Sequence, residues 1–259
     1  MSSFSPTKLA KRWILALQEY SLLVFRAVGS FFSPPIYWGD IFLQMDSIGF
    51  GSLPIVLLTG FFTGCVLALQ SETGLKQFGA VSMTGRLVAL SMVKELGPVL
   101  TGLMMAGRNS SGMASELGSM QVTEQVDAMR ALGVDPIRKL VLPRIAATVF
   151  MLFFLTILSD TVGMAGGALV SVSLLGLNIS SYLHTSYRAL VFGDIVQGLL
   201  KPVFFGFILA SVGCYFGMST KGGTQGVGRA TTQAVVVANV FIIVVDFLLS
   251  RLMIVFFGG

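Results

Sequence analysis

Two adjacent charges, Lys94 and Glu95, interrupt a stretch of this chain that is otherwise apolar. An ionisable side chain within lipid is costly, so it marks either a transport pathway or a packed joint between helices. Gly97 and Pro98 follow directly, and this pair predicts a kink in the helix beside the charges. We therefore expect the two charges either to line a polar cavity or to fix helix packing.

Later apolar segments contain further charges, and some of these are expected to pair with one another across helices. They are Asp160, Lys201, Asp246 and Arg251. One reading of such intramembrane acids is ion coupling in a secondary transporter or channel, with Glu95, Asp160 and Asp246 around one pathway. That function would need no ATP, and it remains an alternative at this point.

The residue inventory argues against catalysis by this chain. His184 is the only histidine, which disfavours a histidine-based metal centre or catalytic triad. Cys65 and Cys214 lie in apolar segments and are expected to be packed hydrophobic side chains. No Gly-x-x-x-x-Gly-Lys-Ser/Thr loop for phosphate occurs in the sequence, so any ATP-driven step needs an ATPase on another chain. We expect no cofactor in this one.

Composition predicts an all-α integral membrane protein, because 54% of the residues are hydrophobic and only 11% are charged, against about 25% charged in soluble domains. Five segments can each cross a hydrocarbon core, which takes about 20 residues. They cover about 48–70, 86–107, 143–174, 190–217 and 231–257. Glycines four residues apart predict close helix packing within these segments. The pairs are Gly60 and Gly64, Gly163 and Gly167, and Gly213 and Gly217.

The residues before the first span form a separate N-terminal region, 1–47, followed by a five-span domain, 48–259. Within it, 7–32 has the pattern of an amphipathic helix that lies in the membrane interface, with a narrow charged face and a wide apolar arc. A tilted first span is the alternative. The charged face consists of Lys8, Arg12, Glu19 and Arg26.

The distribution of lysine and arginine predicts the orientation in the membrane. Eleven lysines and arginines lie before the first span, in 108–144 or between the last two spans. Only three lie in or next to the loops on the opposite side. Such an excess marks the cytoplasmic side. We therefore expect a cytoplasmic N-terminus and, after five spans, a C-terminus on the far side. The formal charge of +5 is small and spread along the chain, so it does not indicate nucleic-acid binding.

A short cytoplasmic helix is predicted at 124–132. Thr123 is a suitable N-cap, acids follow in the first turn, Gly133 occupies the position after the helix, and Asp135-Pro136 prevents its continuation. A well-capped exposed helix can dock a partner, although an ordinary connector is the alternative. Its candidate contact residues are Glu124, Asp127, Met129 and Arg130.

A series of motifs in this order resembles the MlaE/YrbE permease family, from about residue 50 to the end of the chain. The motifs are Glu95-Leu96-Gly97-Pro98, Ala106-Gly107-Arg108, Glu116-Leu117-Gly118, Thr123-Glu124-Gln125, Gly133-Val134-Asp135-Pro136 and Arg229-Ala230-Thr231-Thr232.

The resemblance implies the membrane subunit of an ABC transporter that moves phospholipids or other lipids between the inner and outer membranes of bacteria, and so affects outer-membrane lipid asymmetry. It implies a homodimer in the inner membrane with a periplasmic C-terminus and a lipid-holding cavity at the dimer interface. It also implies three protein partners. They are an MlaF-like ATPase that binds ATP and Mg²⁺, a periplasmic MlaD-like MCE-domain protein and an MlaB-like STAS-domain protein.

The resemblance also implies site residues. Glu95 matches the cavity glutamate of the family, Lys94 the basic residue before it, and Arg229 the basic residue at the start of the last span. Gln70 and Phe78 lie where family members line the cavity mouth, with Phe78 where a tyrosine can occur. ATPase coupling falls to the cytoplasmic helix and its approach, at Glu116, Thr123, Glu124, Asp127, Met129 and Arg130.

Overall fold

Helices account for the regular structure of this chain in the computed structural model, which describes residues 6–31 and 34–257. The side chains of Lys8 and Arg12, two of the charges predicted for the N-terminal helix, lie outside the described residues. Among the residues described, there is no β-strand. The prediction of an all-α membrane protein is confirmed.

The helices of the described chain are α1 (Pro6–Phe31), α2 (Trp38–Lys76), α3 (Thr84–Ser91), α4 (Gly97–Met105), α5 (Ser111–Val122), α6 (Gln125–Ala131), α7 (Leu142–Ser173), α8 (Ile179–Ala189), α9 (Phe192–Met218) and α10 (Gly223–Phe257). A 3₁₀ turn at Val81–Met83 leads into α3. Two π-helical segments, Met92–Leu96 and Ala106–Ser110, join α3, α4 and α5 into one rod. A third, Ile137–Val141, leads into α7.

Each of the five predicted spans is a long apolar helix, but two begin eight to ten residues earlier than predicted. Helix α2 starts at Trp38 and α10 at Gly223, so the division at 47/48 falls inside α2. The segment Ile14–Phe31 of α1 is also long and apolar enough to cross a membrane, so its interfacial placement remains a prediction.

Close approach of small residues joins α2 to α7 at the centre of the fold. A β-carbon on Gly64 would overlap the carbonyl oxygen of Gly163, and one on Gly60 would lie 2.7 Å from the carbonyl oxygen of Ser159. In the same way, a β-carbon on Gly213 of α9 would lie 2.9 Å from the carbonyl oxygen of Ser110. The glycine spacing therefore predicted helix contacts correctly, because only hydrogen in place of a side chain allows backbones this close.

Helix α8 was not predicted, because it is short and its apolar residues cover only one face. Asn178 caps it by accepting a hydrogen bond from the Ser180 backbone N–H at 2.9 Å. Its buried face is fixed by two hydrogen bonds to neighbouring backbones, from the Tyr182 hydroxyl to the Met164 oxygen and from the Ser186 hydroxyl to the Gly85 oxygen. Helix α8 thus ties the start of α3 to the end of α7.

Candidate functional site

A buried lysine on α9 gathers the charges predicted within the spans. Lys201 is 0% exposed, and its ammonium lies 2.5 Å from a Glu95 carboxylate oxygen and 2.9 Å from one of Asp246. The Ser250 hydroxyl donates to Glu95 at 3.1 Å. The contact with Asp246 is an ion pair without hydrogen-bond geometry. We call Lys201, Glu95, Asp246 and Ser250 the Lys201 cluster; it links the α3–α5 rod to α9 and α10.

The backbone beside Glu95 explains why this lysine is placed here. Pro98 has no N–H, so the carbonyl of Lys94 lacks the donor that a regular α-helix would supply. The Lys201 ammonium donates to that carbonyl at 3.0 Å. The expected kink takes the form of a π-helical turn at Met92–Leu96 that immediately precedes α4. One ammonium therefore donates to the freed carbonyl and to Glu95, and it also forms an ion pair with Asp246.

Lys94 and Glu95 do not pair with each other, as expected for adjacent helical residues. The Lys94 ammonium instead lies 2.8 Å from Asp194 at the start of α9. Counting Lys94 and Lys201 against Glu95, Asp194 and Asp246, the ionised groups carry one net negative charge. Both cations are therefore already paired, and the most exposed side chains of the site are Glu95 at 44% and Lys94 at 36%.

An open apolar groove lies next to the cluster. Its volume is about 440 Å³, and its floor includes Leu96, the residue that follows Glu95. The other lining residues share one face of α2 over ~18 Å of helix. They are Leu58, Thr59, Phe62, Thr63, Val66, Leu67 and Gln70. We call this feature the α2 groove; Leu96 connects it to the π-helical turn that contains the half-exposed Glu95 side chain.

The remaining lipid-site predictions are distributed unevenly around the groove. Gln70 lines its outer end. Phe78 lies beyond the end of α2 and is 82% exposed, and it is not among the groove-lining residues. Arg229 is exposed near the start of α10, ~26 Å along that helix from Asp246. The structure therefore separates Arg229 from the Lys201 cluster, and the two do not meet one headgroup in this chain.

Asp160 approaches the same π-helical turn from α7. It is 5% exposed, and a β-carbon on Gly97 would overlap its carboxylate. Within the described chain, its Oδ1 atom has no hydrogen-bond partner. Asp160 thus lies outside the ion pairs of the Lys201 cluster and contributes to close packing at Gly97.

The short helix predicted at 124–132 is present as α6, Gln125–Ala131, but its N-cap prediction is wrong. The Thr123 hydroxyl donates back to the Ser119 carbonyl at 2.9 Å, so Thr123 ends α5. Glu124 takes the cap position instead, with a left-handed φ of 59° and no capping side-chain bond. The C-terminal prediction holds, because Gly133 has a φ of 77° and its N–H donates to the Arg130 carbonyl. The chain turns between α5 and α6, and the left-handed conformation of Glu124 forms part of this turn.

The candidate coupling residues divide between surface and interior. Asp127 and Arg130 form an exposed ion pair at 2.7 Å. Met129 is partly buried and packs toward the core, so it is not an outward contact residue. Leu132, which the sequence analysis missed, is 81% exposed. The sequence signal that could have identified Leu132 is a large apolar residue immediately before a helix-ending glycine.

Glu116, predicted as a coupling residue, lies in α5 and not in α6. It pairs with Arg144 at 2.9 Å, and the Arg144 side chain is buried. Arg144 also donates to the Leu140 carbonyl at 2.8 Å. This pair fixes α5 to the start of α7, so the loop that contains α6 is held at both ends.

Comparison with known proteins identifies the same family as the sequence motifs. The family described as Permease MlaE matches residues 41–252. A probable ABC transporter permease protein of Rickettsia felis is 45% identical over 234 residues, 90% of each chain. The intermembrane phospholipid transport system permease protein MlaE of Haemophilus influenzae is 37% identical over 211 residues, 81% of each chain.

A plant protein is similar over the whole length. TRIGALACTOSYLDIACYLGLYCEROL 1, a chloroplastic protein of Arabidopsis thaliana, is 38% identical over 258 residues, which cover 100% of this chain and 72% of that one. The family match extends over most of the chain, including the rod with Glu95, α6 and nearly all of α10. The chain therefore belongs to the MlaE permease family.

Proposed function

We propose that this chain is the membrane subunit of an ABC transporter that moves phospholipid or a related lipid between the inner and outer membranes of a bacterium. The observation that carries the proposal is the α2 groove, an apolar surface ~18 Å long that ends at Leu96, the residue after the half-exposed Glu95. An acyl chain needs an apolar wall, and a headgroup needs a polar one. The name of the Haemophilus influenzae relative supports the same cargo.

The groove is open on one side, so an enclosed lipid site needs a second wall. A second copy of the chain supplies it most simply, because twofold symmetry brings the same surface to both sides of an interface. Helix α10 offers an exposed apolar face near the cluster, including Ile243, Phe247 and Leu248. We place the lipid between two copies in this homodimer, with Glu95 of each copy toward the cavity.

The charges of the site argue for a specific headgroup contact. Both lysines are paired, so a phosphate gains little from Lys94 or Lys201. Glu95 is the most exposed acidic side chain of a site with one excess negative charge, and a carboxylate attracts the cationic part of a zwitterionic headgroup. We therefore assign Glu95 to the ammonium of the headgroup and the groove, with Gln70 at its mouth, to the tails.

Lipid transfer from a bilayer to the groove exchanges one apolar environment for another, so the net driving force is small. External work is therefore needed, and we assign it to an ATPase on a separate chain. Its docking surface is Glu124, Asp127, Arg130 and Leu132 on and beside α6. A periplasmic MCE-domain protein and a STAS-domain protein complete the proposed assembly, with a cytoplasmic N-terminus and a periplasmic C-terminus in the inner membrane.

The proposal is tested by reconstituting the chain with its ATPase and MCE-domain partners and measuring ATP-dependent transfer of a fluorescent phospholipid. Thr63→Trp fills the α2 groove, whereas Thr161→Trp on an exposed site of α7 is the matched control. We expect the first variant to lose most transfer and the second to retain it. Unchanged transfer with Thr63→Trp would refute the groove as the lipid site. Transfer driven by an ion gradient without ATPase would support the secondary-transporter alternative.

A further inference from the structure

A second and larger apolar cavity lies away from the α2 groove, between α1 and the body of the chain. Its volume is about 620 Å³, within the range of ordinary ligand sites. All of its lining residues are apolar, and they come from four helices. They include Ala27, Phe31, Trp38, Ile41, Ala146 and Phe207. We call it the α1 cavity.

The α1 cavity stays open because polar contacts fix α1 on both sides of it. In the middle of α1, the Tyr20 hydroxyl bonds Ser211 of α9 at 2.8 Å, and the Tyr20 ring packs edge-on against Tyr215. After the end of α1, the Arg138 guanidinium donates to the Pro34 carbonyl at 3.0 Å. The space between these attachments is apolar, and an apolar cavity of this size is unfavourable when empty.

The rim of the α1 cavity is cationic. Lys139 lies three residues before the lining residue Leu142, pairs with Asp40 at 2.5 Å and sits 4.3 Å over the Tyr37 ring. A polar pocket of about 490 Å³ near the end of α1 is lined by Arg26, Arg138 and Asp135. Asp135 pairs with Arg138 at 3.6 Å, so Arg26 is the excess cation, with no ion-pair partner among the described residues. Pocket and cavity are lined by alternating residues of the last turns of α1, with 26, 29 and 30 at the pocket and 27, 28 and 31 at the cavity.

We infer that the α1 cavity binds one acyl chain of an anionic phospholipid from the cytoplasmic leaflet, with its phosphate at the rim near Arg26 and Arg138. Three features identify the occupant: the wholly apolar lining, the excess of cations at the rim, and the location at the N-terminal ends of α2 and α7, the side that the charge distribution assigns to the cytoplasm. This lipid is distinct from the cargo of the α2 groove, and its binding needs neither ATPase nor transport.

Trp38 provides a direct probe, because it lines the cavity and the chain has only one other tryptophan, Trp13. The full-length Trp13→Phe variant is reconstituted in phosphatidylcholine vesicles that contain increasing fractions of phosphatidylglycerol with brominated chains, which quench tryptophan fluorescence. Brominated phosphatidylcholine serves as the neutral probe. We expect half-maximal quenching at about fivefold lower fractions of the anionic lipid, the effect of one cation beside an anionic lipid.

Two substitutions in that background separate the site from the general lipid surroundings. Ala146→Phe fills the cavity and should abolish the preference, whereas Ala165→Phe at an exposed site on the same helix should keep it. Arg26→Gln should also reduce the preference, whereas Arg251→Gln should not. Equal quenching by both brominated lipids in the parent, or an unchanged preference in a folded Ala146→Phe variant, would overturn the inference.

Discussion

Replacing Lys201 by methionine tests the role of the Lys201 cluster as a packed joint. Methionine keeps the length and the apolar stem of the lysine but removes the charge. Glu95 and Asp246 are then left as neighbouring carboxylates without a cation, and the Lys94 carbonyl loses its donor at 3.0 Å. The expected result is a marked loss of stability with no change in any groove-lining residue.

The size of the effect follows from burial. Removing one partner of a buried ion pair costs about 3–5 kcal/mol. Glu95 is 44% and Asp246 20% exposed, so partial solvation of the orphaned carboxylates places the cost near the lower end. We expect a decrease of about 3 kcal/mol in the free energy of unfolding, which is roughly a hundredfold in the equilibrium constant. Asp246→Asn leaves Lys201 and Glu95 balanced one to one and should cost below about 1 kcal/mol.

The measurement is reversible unfolding of the purified chain in mixed micelles with increasing dodecyl sulfate, followed by circular dichroism for both variants. Asp246→Asn is the matched control because it changes one charge in the same cluster. A Lys201→Met variant as stable as the parent would refute the assignment of Lys201 as the neutralising group. A double variant Lys201→Met with Asp246→Asn should recover part of the loss, since only one carboxylate then remains unpaired.

Three further results are expected. Glu124→Lys should reduce ATPase co-purification severalfold while the chain stays folded, because it reverses a charge on the docking surface and keeps the backbone strain unchanged; normal co-purification would remove α6 from the contact. Gly64→Ala should destabilise the chain by more than about 2 kcal/mol through overlap with Gly163, whereas Gly74→Ala, with nothing within 4 Å, should be neutral or stabilising in the same unfolding assay. Glu95→Ala should lower the amount of phospholipid that co-purifies with the assembly, as measured by mass spectrometry, and unchanged lipid would favour a purely structural role.

Much of the candidate site was predictable because its signals are local. The cost of charge in lipid singled out Glu95, and a capped pattern singled out α6. The sequence could not place Thr123, because a hydroxyl can serve the helix before it or the one after it. The reversal of the chain at Glu124 decides between them. It also could not show that Met129 points inward and Leu132 outward, since a seven-residue helix has too few turns to define its faces.

Length, hydropathy and charge distribution by themselves determined that this chain spans a membrane as helices, because each is a property of one segment. They also predicted that some of the intramembrane charges pair with one another. Only the tertiary structure showed that Lys201 forms ion pairs with Glu95 and Asp246 and that Lys94 pairs with Asp194. It also showed that Arg229 lies far from these charges. Partner choice depends on the relative depth and rotation of different helices, and no single segment contains that information.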